Sequence, residues 1–174
     1  MNPQRKTHEL RKGRLSIPNT RIFLTLCTHK RDKGLNKDSL ASELIDQFRR
    51  LHIDQNIDLY CATVMPDHIH MLFRLGQNLP LPKIITKYKT LTKRTLAEHH
   101  LKWQANYYDH RLRSETGSEA FTKYIFLNPY RKQLISTEAV WPYWIINRNY
   151  NPELLTDLRN GTLPHPEWLN TAQT

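Results

Sequence analysis

Residues 60–73, YCATVMPDHIHMLF, constrain the fold more than any other part of this 174-residue chain. Two short apolar runs flank Pro66 and Asp67 there. Proline presets its own φ and aspartate hydrogen-bonds to nearby backbone, so this dipeptide favours a tight turn between two strands. The sequence therefore predicts a β-hairpin whose strands cover about residues 57–64 and 68–75.

Two histidines, His68 and His70, alternate with Ile69 and Met71 on the second predicted strand. Because successive side chains of a strand point to opposite faces, both imidazoles lie on one face, with Cα atoms about 7 Å apart. Both rings can then bind one metal ion. Among 9 histidines such a triplet also arises by chance, and a solvated strand face or hydrogen-bonded core histidines are the simpler alternatives. The apolar residues on both sides of the pair favour a central strand, where buried polar groups need partners.

Strand and helix periodicity continues on either side of the hairpin. We predict a strand at 21–28, a helix at about 39–52 and a second helix at about 82–100. Strand, helix, hairpin, helix begins a ferredoxin-like (RRM-like) order, an α+β fold in which helices cover one face of an antiparallel sheet. The open face of such a sheet is then available to single-stranded nucleic acid.

A third helix is predicted from Glu119 to about Asn128, capped by Ser118 and ended by Pro129. Tyr124 and Asn128 are four residues apart, so they share one face of that helix. If the Asn128 amide oxygen were a third ligand beside the histidines, the Tyr124 hydroxyl would lie next to the ion and could act as a nucleophile.

This interpretation of the third helix has ordinary alternatives. Tyr124 could be an aromatic core residue of an amphipathic helix, and Asn128 a residue at a helix C-terminus. Positive charge from Lys123 and Arg131 would favour an anionic nucleophile. The pattern by itself leaves both interpretations open.

The chain is strongly basic, with 26 Lys and Arg against 16 Asp and Glu and a formal charge of +10. Basic side chains gain free energy by displacing the counterions of a polyanion, so we expect nucleic acid as the partner. The expected contacts lie on the second helix, in an aromatic and basic segment, and on the third helix: Lys83, Lys87, Arg94, Trp103, Arg111, Arg113, Lys123 and Arg131. A solvated charged face and rings packed on the sheet are the alternatives.

A single domain, residues 1–174, is the simplest organisation, with a basic arm at 1–16 and an irregular extension at 140–174. Cys27 and Cys61 lie far apart in apolar runs, which favours buried free thiols over a disulfide. No apolar run has membrane-spanning length, and no signal-peptide core follows the N-terminus. We expect a cytoplasmic protein without a membrane partner.

Three sequence blocks stand in order along the chain: MPDHIHML at 65–72, WQANYYDHRLR at 103–113 and YIFLNPYR at 124–131. With further matches at 13–16 and 141–143, they resemble the REP-associated tyrosine transposases. That family is related to the small insertion-sequence transposases and belongs to the HUH (His-hydrophobic-His) endonuclease superfamily. The resemblance covers most of the chain.

The resemblance implies that His68 and His70 bind Mg²⁺ or Mn²⁺, with Asn128 as third ligand and Tyr124 as nucleophile. It further implies cleavage and rejoining of single-stranded DNA beside palindromic hairpins. The intermediate would be a 5′-phosphotyrosine, and no nucleotide cofactor would take part.

The resemblance also extends to parts outside the catalytic blocks. The arm that includes Arg14 and Ser16 is similar to the part that reads bases at the foot of the hairpin. A monomer is favoured, with a dimer as the alternative. One departure follows Asn128 and Pro129, where relatives commonly have small residues and this chain has Tyr-Arg-Lys-Gln.

Two other functions stay open. A catalytically silent nucleic-acid-binding protein, such as a repressor, would keep the fold and the basic surface. A metallohydrolase would use His68 and His70 to activate water, and its activity would survive Tyr124→Phe.

Overall fold

The structure, a computed structural model, describes residues 16–112 and 116–169. The predicted strands and the first two predicted helices are found within two residues of their expected ends. The strands are β1 (Arg21–Cys27), β2 (Ile57–Val64), β3 (His68–Leu75), β4 (Tyr108–Arg111) and β5 (Trp144–Ile146). The helices are α1 (Asp38–Ile53), α2 (Leu81–Glu98) and α3 (Thr116–Arg131), with short 3-10 helices at His29–Arg31, Glu153–Leu155 and Pro166–Leu169.

The strands form one antiparallel sheet in the order β4-β1-β3-β2-β5, which makes β3 the central strand. This position confirms the prediction made from the apolar residues around the histidines. β1 pairs with β3 in a register that sets Thr25 opposite His70 and Cys27 opposite His68. The predicted α+β, ferredoxin-like class is confirmed.

Helices lie on both faces of this sheet. α1 and α2 pack on one face, against side chains that include Leu24 and Met71. α3 lies on the opposite face, where Ile125 packs with Phe23 and Leu72. We call this second face the site face, because alternation along β3 places both histidines of the motif on it. The face expected to be open is therefore covered in part by α3.

The two edge strands, β4 and β5, were not predicted. β4 is largely exposed and carries charged residues, so it lacks an apolar alternation. β5 has only three residues and lies in the extension predicted to be irregular. Both strands form by pairing with the free edges of β1 and β2, a tertiary contact that local patterns do not encode.

The start of α3 differs from its prediction. The helix begins at Thr116 rather than Glu119, so Ser118 lies inside it. The prediction that Ser118 caps this helix is wrong, because its buried Oγ has no hydrogen-bond partner in the described parts of the chain.

The end of α3 also differs, since the helix continues through Pro129 to Arg131. Proline in the last turn removes one backbone hydrogen bond. The buried Tyr130 offsets this loss, because its ring packs in an apolar cluster and its hydroxyl donates to the carbonyl of Ala139 and accepts from the N–H of Trp141.

Both cysteines are free thiols, as predicted, but only Cys61 is buried. Cys27 is half-buried, because it faces the rim of the site face beside Arg31, whose Nη1 donates to its Sγ at 2.8 Å. In residues 16–112 and 116–169, no helix combines the length and the hydropathy needed to cross a bilayer.

Candidate metal and nucleophile site

Two imidazole nitrogens meet on the site face. His68 and His70 are 6% and 5% exposed, and their Nε2 atoms are 3.0 Å apart. Two nitrogen ligands of one ion, each bound at about 2.0–2.1 Å, lie roughly 3 Å apart. The pair therefore has the separation that a shared metal ion requires.

A partner at Nδ1 orients each ring. For His68 the partner is Oδ1 of Asp67 at 2.5 Å, and Asp67 also forms an ion pair with Arg31 at 3.0 Å. For His70 it is the hydroxyl of Thr25 on the neighbouring strand, at 2.9 Å. Partners of this kind fix the tautomer and the direction of a ligating imidazole.

The contact between the Nε2 atoms restricts the tautomers. Because a carboxylate only accepts, Nδ1 of His68 carries the proton toward Asp67, and its Nε2 holds a lone pair. Without a cation, His70 donates its Nε2 proton to that lone pair, and Thr25 donates to Nδ1 of His70. With both lone pairs on a cation, His70 carries its proton on Nδ1 and Thr25 accepts it. The Thr25 hydroxyl can do both, because a hydroxyl is a donor and an acceptor of hydrogen bonds.

Burial keeps both histidines neutral. Desolvation lowers the pKa of His68 below its ordinary value of 6.5, and the Asp67 carboxylate opposes this shift. Desolvation lowers the pKa of His70 well below 6.5, and repulsion from Arg31, and from His68 when that ring is protonated, acts in the same direction. Metal ions bind the unprotonated imidazole, so the pair is in its ligand form at neutral pH.

α3 places Tyr124 beside this pair. Its ring is edge-on to His70, with centroids 5.3 Å apart, and edge-on to Phe23 at 5.8 Å. The fully buried Ile125 anchors the same turn of the helix on the sheet. Tyr124 itself is half-buried, so its ring is held in place but remains reachable from solvent.

Asn128 lies one helical turn after Tyr124 and is 4% exposed. Its Oδ1 is buried and has no hydrogen-bond partner among the residues that the structure describes. Such an unpaired acceptor costs about 1–3 kcal/mol, a cost that a bound cation would remove. Within the described ranges no three His, Cys, Asp or Glu side chains form a possible metal site. Helical spacing puts Asn128 on the face of α3 that carries Tyr124, so its unpaired amide oxygen is the candidate third ligand beside the two imidazoles.

Two threonines of the site were not singled out from the sequence. Thr25 and Thr63 both lie opposite His70, on β1 and β2 respectively. Thr63 is fully buried, and its Oγ1 has no partner within residues 16–112 and 116–169. Strand alternation could have found both residues only if the pairing register had been known.

The predicted DNA contacts of α2 lie on the opposite side of the sheet from the histidines, since α2 packs with α1. Lys83 is exposed. Lys87 forms an ion pair with Asp54 at 2.7 Å, and Arg94 forms one with Glu98 at 3.0 Å. The structure therefore does not bring these residues together with the site face.

The aromatic and basic segment divides between the two faces. Trp103 packs against the core of α1 and α2, and its Nε1 donates to Thr92 at 2.8 Å. Arg111 is on that face too, because strand alternation separates it from His110. Tyr108 lies on the site face and is 57% exposed, so its ring is accessible for base stacking.

Lys123 and Arg131 lie on the same helix as Tyr124. Nζ of Lys123 is 4.1 Å from the ring centroid of Trp168, and Arg131 donates to the Trp168 carbonyl at 3.3 Å. The C-terminal segment therefore holds two cationic side chains on the helix that carries the candidate nucleophile.

The predicted basic arm, residues 1–16, lies outside the described residues except for Ser16. Oγ of Ser16 accepts a hydrogen bond from the backbone N–H of Leu81 at 3.1 Å, which ties Ser16 to the start of α2. Arg14 and Arg113 lie outside the described residues.

A His-x-His pair on a central strand, facing a tyrosine on a helix, defines a class of sites that can combine a metal ion with a tyrosine nucleophile. Comparisons with known proteins identify the family within that class. The family model "Transposase IS200 like" matches residues 16–128, a range that contains His68, His70, Tyr124 and Asn128. The match spans more than half of the chain, so the protein belongs to the IS200-like transposases, a family of DNA-processing enzymes.

Two individual proteins agree with this assignment. A Haemophilus influenzae protein named "Putative REP-associated tyrosine transposase" is 24% identical over 151 residues, which cover 76% of this chain and 82% of that protein. A solved structure of a REP-associated tyrosine transposase bound to a REP hairpin has a TM-score of 0.63 at 18% identity, covering 83% of this chain and 82% of that chain. The resemblance to that group drawn from the three sequence blocks is confirmed.

Proposed function

We propose that this protein cuts and rejoins single-stranded DNA beside hairpins such as the REP hairpin bound by the solved relative, with Tyr124 as nucleophile. The observation that carries the proposal is the Tyr124 ring, 5.3 Å from that of His70, at a pair of converging Nε2 atoms. Family membership supports the reaction class. The formal charge of +10 supports attraction to the DNA backbone.

His68, His70 and Asn128 would hold a divalent cation, Mg²⁺ or Mn²⁺. The unpaired Oδ1 of Asn128 and the 3.0 Å separation of the Nε2 atoms support this ligand set. When bound, the ion polarises a DNA phosphate and offsets the negative charge of the transition state. No nucleotide cofactor takes part, because the phosphodiester itself supplies the bond that is exchanged.

Tyr124 would perform the covalent step. Its Oη attacks phosphorus, and the bond from phosphorus to the 3′-oxygen of the preceding nucleotide breaks. The phenol loses its proton to solvent, and the departing 3′-oxygen gains one from solvent. The product is a 5′-phosphotyrosine and a free 3′-hydroxyl. Because the phosphotyrosine conserves the bond energy, a 3′-hydroxyl can reverse the step and join strands.

The remaining predicted contacts would act on the DNA backbone. Lys123 and Arg131 have the most favourable position, because they share a helix with Tyr124. Lys83, Lys87 and Arg94 would contact DNA only where it reaches the opposite face. A monomer suffices for the chemistry, because the histidines and the tyrosine come from one chain.

The test is incubation of the full chain with a pool of hairpin-bearing single-stranded DNAs and Mn²⁺, followed by denaturing electrophoresis. We expect a covalent protein–DNA adduct that Tyr124→Phe abolishes. Tight binding without any adduct would indicate a silent DNA-binding protein. Cleavage that survives Tyr124→Phe would indicate a water-using metallohydrolase.

A further inference from the structure

A cavity opens on the site face, at the ends of β1 and β3 that lie away from His68. Its volume is about 470 Å³, and it is bounded by the start of α3 and by the segment after β5. The residues that matter for its chemistry are Arg21, Tyr60, Ser118, Asn149, Tyr150 and Asn151.

We propose that this cavity binds one unpaired base of the DNA strand that is cut at Tyr124. The inference rests on the proposed function and adds a base-reading subsite to it. A volume near 470 Å³ lies in the range of small-ligand sites and suits a single base with part of its sugar.

An aromatic pair forms one wall. The rings of Tyr60 and Tyr150 are stacked, with centroids 4.5 Å apart and planes 10° from parallel. Tyr60 is buried beneath the half-buried Tyr150. A base entering the cavity can extend this stack, which is how proteins commonly hold unpaired bases.

Unused hydrogen-bonding groups form the other walls. The side-chain amides of Asn149 and Asn151 are exposed and form no hydrogen bond within the described residues, and an amide offers both a donor and an acceptor to a base edge. Oγ of Ser118, a residue only 5% exposed, lacks a partner in the same part of the chain. Asn147 differs, because its amide already donates to the carbonyl of Leu59 at 2.8 Å.

The charges of the cavity favour a base over a bare phosphate. Arg74 is paired with Asp58 at 2.8 Å, and a Glu119 oxygen accepts the N–H of Glu153 at 3.2 Å. Two arginines thus face two carboxylates, which leaves the lining close to neutral. Arg21, whose Nε donates to the Tyr60 hydroxyl at 3.3 Å, lies where the linked phosphate would pass.

The cavity is within reach of the same strand. Ser118 precedes Tyr124 by six residues on α3, which is about 9 Å along the helix axis. At about 3.4 Å or more per nucleotide, a base roughly two or three positions from the cut phosphate would arrive at the cavity.

The first experiment uses the full chain with ¹⁵N label, titrated with each of the four deoxynucleoside 5′-monophosphates and with 2-deoxyribose 5-phosphate. We expect at least one nucleotide to shift the side-chain amide signals of Asn149 and Asn151 in a saturable way, and the base-free sugar phosphate to leave them unchanged.

The double variant Asn149→Ala/Asn151→Ala should bind that nucleotide at least about fivefold more weakly. Gln77→Ala, which removes an exposed amide outside the cavity, should bind it as wild type does. Absence of a saturable shift with all four nucleotides, or an equal shift with the sugar phosphate, would overturn the proposal.

The second experiment separates this proposal from the proposed function. In a Tyr124→Phe background, one abasic site two or three nucleotides from the cut should weaken DNA binding about tenfold, and the double asparagine variant should remove that difference. A difference that persists in the double variant contradicts the base subsite. If nucleotides bind the cavity while wild type forms no adduct, the subsite stands and the nuclease proposal fails. If an adduct forms and no nucleotide binds the cavity, the nuclease proposal stands and the base subsite fails.

Discussion

The Nε2 atoms of His68 and His70 lie 3.0 Å apart, while Nδ1 of each ring is held by a different residue. Two neutral imidazoles reach this separation only with a proton or a cation between their nitrogens. The partners at Nδ1, Asp67 and Thr25, come from the hairpin turn and from β1. The site is therefore built by the sheet register as much as by the His-x-His motif.

The Thr25 hydroxyl should contribute to metal affinity. Thr25→Val keeps the shape of the side chain and removes the partner of His70, so we expect Mn²⁺ to bind about tenfold more weakly. Thr25→Ser keeps the hydroxyl and should stay close to wild type. Isothermal titration calorimetry without DNA measures both constants. Equal affinity of Thr25→Val and wild type would contradict the role of the hydroxyl.

The Asp67 carboxylate should contribute to metal affinity at least as much as the Thr25 hydroxyl does. In Asp67→Asn the Nδ1 proton of His68 loses its anionic acceptor and the ion pair with Arg31 is lost, so Mn²⁺ affinity should fall about 10–100-fold. Asp46→Asn breaks an exposed ion pair with Arg49 on α1 and serves as the matched control. A loss of similar size in both variants would show that the effect is not specific to the site.

Stability should fall in mild acid. The unfolded chain protonates these histidines near pH 6.5, whereas burial lowers the pKa of both His68 and His70 in the folded protein. Below about pH 6.5 the unfolded state binds more protons than the folded state, so the free energy of unfolding decreases as the pH falls. At pH 7–8 the free energy of unfolding keeps its full value. Urea midpoints from pH 8 to pH 5 test this, and His70→Gln should show a shallower decline. An identical decline in that variant would contradict the assignment.

The docking of α3 should depend on Ile125. Ile125 is fully buried in the cluster that joins α3 to Phe23 and Leu72 of the sheet, so Ile125→Ala should lower the free energy of unfolding by about 2–5 kcal/mol. Leu91→Ala, at an exposed position on α2, should change it by less than about 0.5 kcal/mol. Urea denaturation measures both. A small effect at Ile125 would mean that α3 is not held to the sheet as the structure shows.

The elements predicted well are those whose own residues encode them. The hairpin at 57–75 followed from its apolar runs and its Pro-Asp turn, and the facing of His68 and His70 followed from alternation alone. α3 was located by periodicity, but its passage through Pro129 depends on Tyr130 contacts with residues later in the chain. The face on which α3 lies is likewise decided by packing between distant segments.

The site was predicted only in part, because some of its residues come together through pairing and packing between distant segments. Spacing alone put Tyr124 and Asn128 on one helix face, and resemblance linked that face to the histidines. Thr25 enters the site only through the register between β1 and β3. Charge located basic segments but not their faces, so Lys83, Lys87 and Arg94 were grouped with residues that lie across the sheet from them.

The most direct measurement is the chemical identity of the residue that becomes joined to DNA. After reaction with a cleavable hairpin strand and Mn²⁺, nuclease digestion and mass spectrometry should find a nucleotide phosphate on Tyr124. Tyr124→Phe should yield no adduct, and Tyr107→Phe, on the opposite face of the sheet, should yield as much as wild type. A phosphate found on another residue, or an adduct that persists in Tyr124→Phe, would contradict the account.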